Sequence, residues 1–287
     1  MKNRYQSTLS PRFAAAAVGM AILANGAVAG PEATAPYEST PPDKSRYHLF
    51  DPTPPELWRE LSPDRPDATE SPLTVDAGAF VVEASYFDWR RDGGGDAYTV
   101  MATNFKIGLT NDTDLQIVFD TYTREDPETG SGAEGFGDVQ LRLKYNVWGN
   151  DGGDTALALF PFVKIPTDTE LSNGEVEGGL IIPFAMDLSD GVGLGLMAEF
   201  DAVYDEAADR HDIEFLHSAV LGIDLTDRFG TFAEYIGITG PSPYQAYFAG
   251  GFTCWLNDDL VLDWGAQVGL NDNSDDLGVF GGFTKRF

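Results

Sequence analysis

Lys106, Arg142, Lys144 and Lys164 stand on segments whose alternate positions are apolar, and Glu175, Glu177, Glu199, Asp201, Asp212 and Glu214 do the same further along the chain. Residues two apart on an extended strand share one face. If these faces turn toward a common interior, a basic arc and an acidic arc would set a field across a narrow pore. Such a field steers charged or dipolar solutes. The alternative is that the charges pair across neighbouring strands and fill a small barrel with salt bridges.

Other chemistries fit poorly. His217 and Ser218 are adjacent, so on a strand they point to opposite faces and cannot form a nucleophile–base pair. By parity His217 falls with Ile213, Phe215 and Leu221, on an apolar face. One cysteine, Cys254, excludes a cysteine-built zinc site, and its neighbours Phe252 and Leu256 make it a packing residue. Asp272, Asn273, Asp275 and Asp276 look like part of a calcium loop but lack its turn glycine and twelfth-position glutamate. Gly93-Gly94-Gly95 is followed by no Lys-Ser/Thr pair and so is no phosphate loop. Neither a catalytic residue, a cofactor nor a resident metal is expected.

The 287 residues carry 18 Lys+Arg against 46 Asp+Glu, a net charge of −28. Phosphate binding needs clustered cations, so nucleic acid is excluded as a partner. At 43% hydrophobic and 12% aromatic the chain is too apolar for an acidic disordered tail. Residues 1–29 have the form of a secretory leader: Lys2, Arg4 and Arg12, then the apolar run from Phe13, ending Ala27-Val28-Ala29. Residues 30–72 are rich in proline and charge and read as an extended periplasmic N-terminal segment, with one helical turn at Pro55–Leu61.

From residue 73 to residue 287 the texture is period two. On 136–148, Val139, Leu141, Leu143, Tyr145 and Val147 oppose Asp138, Gln140, Arg142, Lys144 and Asn146. On 260–270, Leu260, Leu262, Trp264, Ala266, Val268 and Leu270 oppose Asp263, Gly265, Gln267 and Gly269. One face is hydrocarbon and the other polar or glycine. About twelve such segments follow one another, and an even count suits a closed outer-membrane barrel. Tight turns such as Asn111–Thr113 and Ser189–Asp190 alternate with longer loops, expected at Trp89–Asp96, Glu125–Gly135, Pro166–Asn173 and Asp205–Arg210. A terminal aromatic, Phe287, is the signal that barrel-assembly machinery reads. Pro161 and Pro183, inside strands, lack ladder donors and count against closure unless they sit where no N–H is needed. A soluble β-sandwich would explain the alternation equally well, but neither the segment length nor the ending.

Asp64-Arg65-Pro66-Asp67-Ala68-Thr69-Glu70-Ser71-Pro72, followed by Thr74-Val75, Gly78 and Glu83, resembles the opening signature of a transporter-like outer-membrane family. That family is labelled "putative MetA-pathway of phenol degradation". Gly135-Phe136-Gly137-Asp138-Val139 with Lys144, Pro161 to Thr167, and Gly281-Gly282-Phe283 to Phe287 are similar to its later landmarks. Val81 departs from it, standing where the family commonly has Gln. The resemblance implies an outer-membrane barrel that transports small molecules, loosely linked to aromatic compounds.

The expectation is therefore an all-β chain: an antiparallel transmembrane barrel of about twelve strands, exported, embedded in outer-membrane lipid and passing a small-molecule cargo. A secreted sandwich that binds or supports, or a barrel too filled to conduct, remain the alternatives.

Overall fold

A computed structural model describes residues 42–206 and 208–287. The leader and the first residues of the proline-rich segment lie outside that range. Thirteen strands follow a single 3₁₀ turn at Pro55–Leu57. They are β1 (Phe80–Asp92), β2 (Gly95–Thr110), β3 (Thr113–Asp126), β4 (Ala133–Gly135), β5 (Val139–Trp148), β6 (Thr155–Ile165) and β7 (Glu177–Ser189). Then come β8 (Val192–Asp205), β9 (Arg210–Thr226), β10 (Phe229–Thr239), β11 (Gln245–Asn257), β12 (Leu260–Gly269) and β13 (Leu277–Arg286).

Each strand pairs antiparallel with the next, β3 pairs β5 past the short β4, and β13 pairs β1. The ring is thus a closed antiparallel barrel of twelve strands, with β4 a flap on β3. Closure leaves no unpaired edge, which is what a backbone in lipid requires. The last residue takes part: Phe287 N donates to Phe80 O at 2.8 Å and Phe80 N to Phe287 O at 3.3 Å.

The side-chain distribution is inverted relative to a soluble sandwich. Leu143, Phe200 and Trp264 are more than 40% exposed, while Lys106, Lys144, Glu83 and Glu234 are at most 2% exposed. Apolar faces that met in a sandwich core would show the reverse. The exposed apolar band is flanked by aromatics near both ends, Tyr145, Trp148 and Phe229 on one side and Tyr98, Phe136 and Tyr244 on the other.

The two prolines sit in gaps of the ladder. Pro161 pairs Leu180 of β7, while the β5–β6 register is interrupted between Arg142↔Phe162 and Tyr145↔Leu159. Pro183 pairs Met197 of β8, and the β6–β7 register is interrupted between Phe160↔Ile181 and Leu157↔Phe184. Each missing N–H falls on the side where no bond is made.

Three expectations change. Trp89–Asp96 is not a loop, because β1 and β2 continue to a tight turn at Gly93-Gly94, where Gly93 takes a φ of +56°. Strand pairing begins at Phe80, and residues 73–79 belong to the preceding segment. The inward face is not uniformly polar or glycine. On β1–β5 it is mostly polar, Val81 being an exception, and on β6–β13, among inward polar residues such as Glu234 and Asp263, Phe160, Ile181, Leu216, Phe232, Tyr247 and Phe280 form a buried apolar cluster.

Candidate functional site

The connections define two ends. Tight turns at Asn111-Asp112, Asp190-Gly191, Asp227-Arg228 and Asp258-Asp259 make the turn end, and the longer segments 127–138, 166–176 and 270–276 the loop end. The segment expected to extend into the periplasm does not do so over its described part. Between residues 44 and 76 it contacts side chains of β1, β2, β3, β5, β8, β9, β10 and β12. A single stretch that touches opposite walls of a closed ring lies inside it.

Its base fills the turn end. Lys44 pairs Asp76 at 2.9 Å and Asp151 at 2.7 Å. Arg59 donates to Thr74 O at 2.8 Å, Asn111 Oδ1 at 2.7 Å and Asp151 at 3.2 Å. Arg286 at the end of β13 donates to Arg59 O at 2.7 Å and stacks its guanidinium 4.9 Å from the Trp58 ring. At Gly108 of β2 any Cβ would collide with the Asp76 carbonyl. Gly108→Ala therefore forces the base off the wall, at about 1–3 kcal/mol, the usual range for overpacking. Limited trypsinolysis of the variant in detergent is expected to cleave after Arg59, where the native protein resists.

The tip reaches the middle of the barrel. Asp64 is the hub: Lys106 bonds it closely and also donates to Glu83 at 2.5 Å, and Lys144 donates to Asp64 at 3.0 Å and Leu73 O at 3.0 Å. Burial alone would raise the Asp64 carboxyl, but the two ammoniums outweigh it and hold Asp64 below the usual carboxylate range. Arg65 forks onto Asp263 at 2.7 and 3.2 Å and donates to Ser85 at 2.6 Å. Thr69 is held by Glu234 and Ser218, and Glu70 meets Arg142 at 2.5 Å. Burial first, and then the Asp64 charge, push the Glu70 carboxyl up to about 8.

The residues anticipated as a lumen lining separate into groups. Lys106, Arg142 and Lys144 do face the interior, but their partners are Asp64, Glu83 and Glu70, so two of the three are neutralised by the inner segment rather than by a neighbouring strand. Lys164 pairs Glu177 at 2.5 Å on the adjacent strand and Asp138 at 3.2 Å, nearer the loop end. Glu199 and Asp201 are inward and buried. Glu175 lies before β7, exposed, and is not a wall residue. Asp212 is tied to the exposed Arg210 at 3.0 Å, and it and the half-buried Glu214 stand at the loop-end rim of β9. A continuous acidic arc is thus replaced by three buried wall carboxylates, Glu177, Glu199 and Asp201, and three rim or loop carboxylates.

The signature residues Asp64, Arg65, Pro66, Asp67, Thr69, Glu70, Ser71 and Pro72 form the tip itself and its neck. Sequence reading missed their partners Glu234, Ser218 and Asp263 as a set. Parity alone places Glu234 and Asp263 inward; nothing local says that Thr69 and Arg65 meet them. Val81 faces the interior and is 2% exposed, so a Gln there would point at the inner segment. His217 and Ser218 diverge as expected: Ser218 bonds Thr69 inside, and His217 stacks outside on Phe215 at 5.4 Å and Tyr244 at 6.3 Å. Among the described residues no group of His, Cys, Asp and Glu is arranged to hold a metal.

The architecture is similar to that of solved outer-membrane barrels. An outer-membrane channel from Pseudomonas putida F1 aligns with a TM-score of 0.57 at 12% identity, over 79% of this chain and 100% of that one. The NanC porin aligns with a TM-score of 0.51 at 10% identity, over 72% of this chain and 98% of the other. At such identities the likeness shows the fold. No curated protein matches the sequence. The model of the family described as "Putative MetA-pathway of phenol degradation" matches residues 63–287, starting one residue before Asp64 and running through every strand, and the chain belongs to that family.

Proposed function

We propose that this protein is an outer-membrane channel for small molecules with apolar or aromatic bodies. The observation that carries the reading is the divided lumen. A porin interior is ordinarily polar throughout. Here Ile181, Leu216, Ile236, Tyr247 and Phe280 line one wall, opposite Asn104, Lys106, Gln116 and Lys144. A solute with an apolar body and a polar edge would be met by both. The turn end is the periplasmic side, the loop end faces outward, and residues 1–29 direct export. Outer-membrane lipid and the barrel-assembly machinery are the partners this placement needs.

The test is reconstitution of the mature chain in planar bilayers and in vesicles loaded with a monoaromatic alcohol or with a sugar. Channel function predicts discrete conductance and faster release of the aromatic solute. The filled turn end supports a second reading, a structural barrel that never conducts. Absence of conductance and release, in the wild type and in a chain lacking the tip, would establish that second reading.

A further inference from the structure

We infer that residues 65–71 are the gate of this channel, a loop that leaves its seat in mid-lumen while residues 42–64 and 72–79 stay as a fixed base. The inference rests on the channel reading and assigns its regulation to one loop.

The two parts of the inner segment are attached by different kinds of bond. The base is tied to β2 through its backbone at its two ends, Leu49 N to Leu109 O at 2.8 Å, Gly78 N to Gly108 O at 2.9 Å and Gly108 N to Ala79 O at 3.1 Å; Thr53 N to Ala77 O at 2.9 Å joins those ends to each other, and side chains hold the stretch between. These continue the barrel's own ladder inward, and Lys44 and Arg59 lock them from below. Residues 65–71 make no backbone–backbone bond to any described strand. They are held through side chains of the wall, by Asp263 and Ser85 on Arg65, Glu234 on the amides of Ala68 and Thr69, Ser218 on Thr69, and Arg142 on Glu70.

The loop is also closed at its neck. Ser71 N donates to Asp64 Oδ1 at 2.9 Å, and the Ser62 and Ser71 hydroxyls are 2.7 Å apart. Asp64 is clamped by two lysines, so the neck stays shut when the tip moves. Compact loops with their ends already together are frequently functional elements. Opening therefore requires that water reach Asp263, Glu234, Ser218 and Arg142 as the tip lifts.

The test is a reversible tether. Thr69 and Ser218 hydroxyls lie 2.6 Å apart, and Cys254 is the chain's one native cysteine. In a Cys254→Ser background, Thr69→Cys with Ser218→Cys is expected to cross-link under mild oxidant. Bilayer conductance should then fall by on the order of tenfold and return with reductant. A second chain, with residues 65–71 replaced by two glycines, should conduct constitutively. Cross-linked protein that conducts as well as the reduced form overturns the gate, and so does failure of the pair to cross-link in vesicles. If the wild type conducts and the shortened chain conducts no better, the gate is wrong while the channel stands. If neither conducts, the channel reading itself fails.

Discussion

Asp64→Ala is expected to cost about 3–5 kcal/mol, the range for breaking a buried ion pair from one side. Among the described residues, the substitution removes the only carboxylate bonded to Lys144 and one of two bonded to Lys106, and both lysines are at most 2% exposed. An ammonium stranded at that depth cannot recover its hydration, and the Phe160 face 4.5 Å away compensates only in part. The barrel ladder does not pass through Asp64, so the loss should appear as unseating of residues 62–75. The measurements are protease sensitivity of that stretch and the midpoint of urea unfolding in detergent. Lys144→Met in the Asp64→Ala background should restore much of the loss, because it removes the stranded charge, and additive losses would refute the hub. The pH dependence follows from the lowered Asp64 carboxyl. Its contribution is complete above an ordinary carboxylate pKa of about 4 and is lost only as pH falls through the lower native value. The seat should therefore survive mild acid.

Leu143→Arg tests the other face. Leu143 is 41% exposed near the middle of β5, between the inward Arg142 and Lys144. An arginine facing lipid costs up to about 2–4 kcal/mol in barrels of this kind, and less within a few residues of an interface. The same charge one position either way already exists at no penalty, because Arg142 and Lys144 have carboxylates inside. The expected result is a variant that folds in detergent but is destabilised by that amount in vesicles, measured as a shift of the urea midpoint. An unchanged midpoint in lipid would mean that this face does not meet hydrocarbon.

The two experiments divide along the line between what was legible in the residues and what was not. Orientation of the wall was legible. A strand's side chains alternate whatever its partners are, so Leu143 and Lys144 had to take opposite faces once β5 was extended. The family string was legible too, since Asp64 to Pro72 needs no fold to be seen. Irregularities were not. The register shift between Ser85 and Phe87 puts Tyr86 and Phe87 both on the outside, and a count by two passes over it. The apolar inner wall was hidden for a related reason: Phe160 and Ile181 carry the same hydrophobicity as their outward neighbours, and only closure says which side is the interior.

The sequence by itself determined the strands and the two faces of each, because period two is a local property that survives without any knowledge of contacts. It also determined that the interior carries opposite charges. Tertiary structure decided what those charges do. Arg65 meets Asp263 across 198 residues and Thr69 meets Glu234 across 165, through a segment whose proline-rich composition resembles a solvated linker. No periodicity encodes such pairings, since they exist only after twelve strands have closed a ring narrow enough for one chain segment to touch opposite walls.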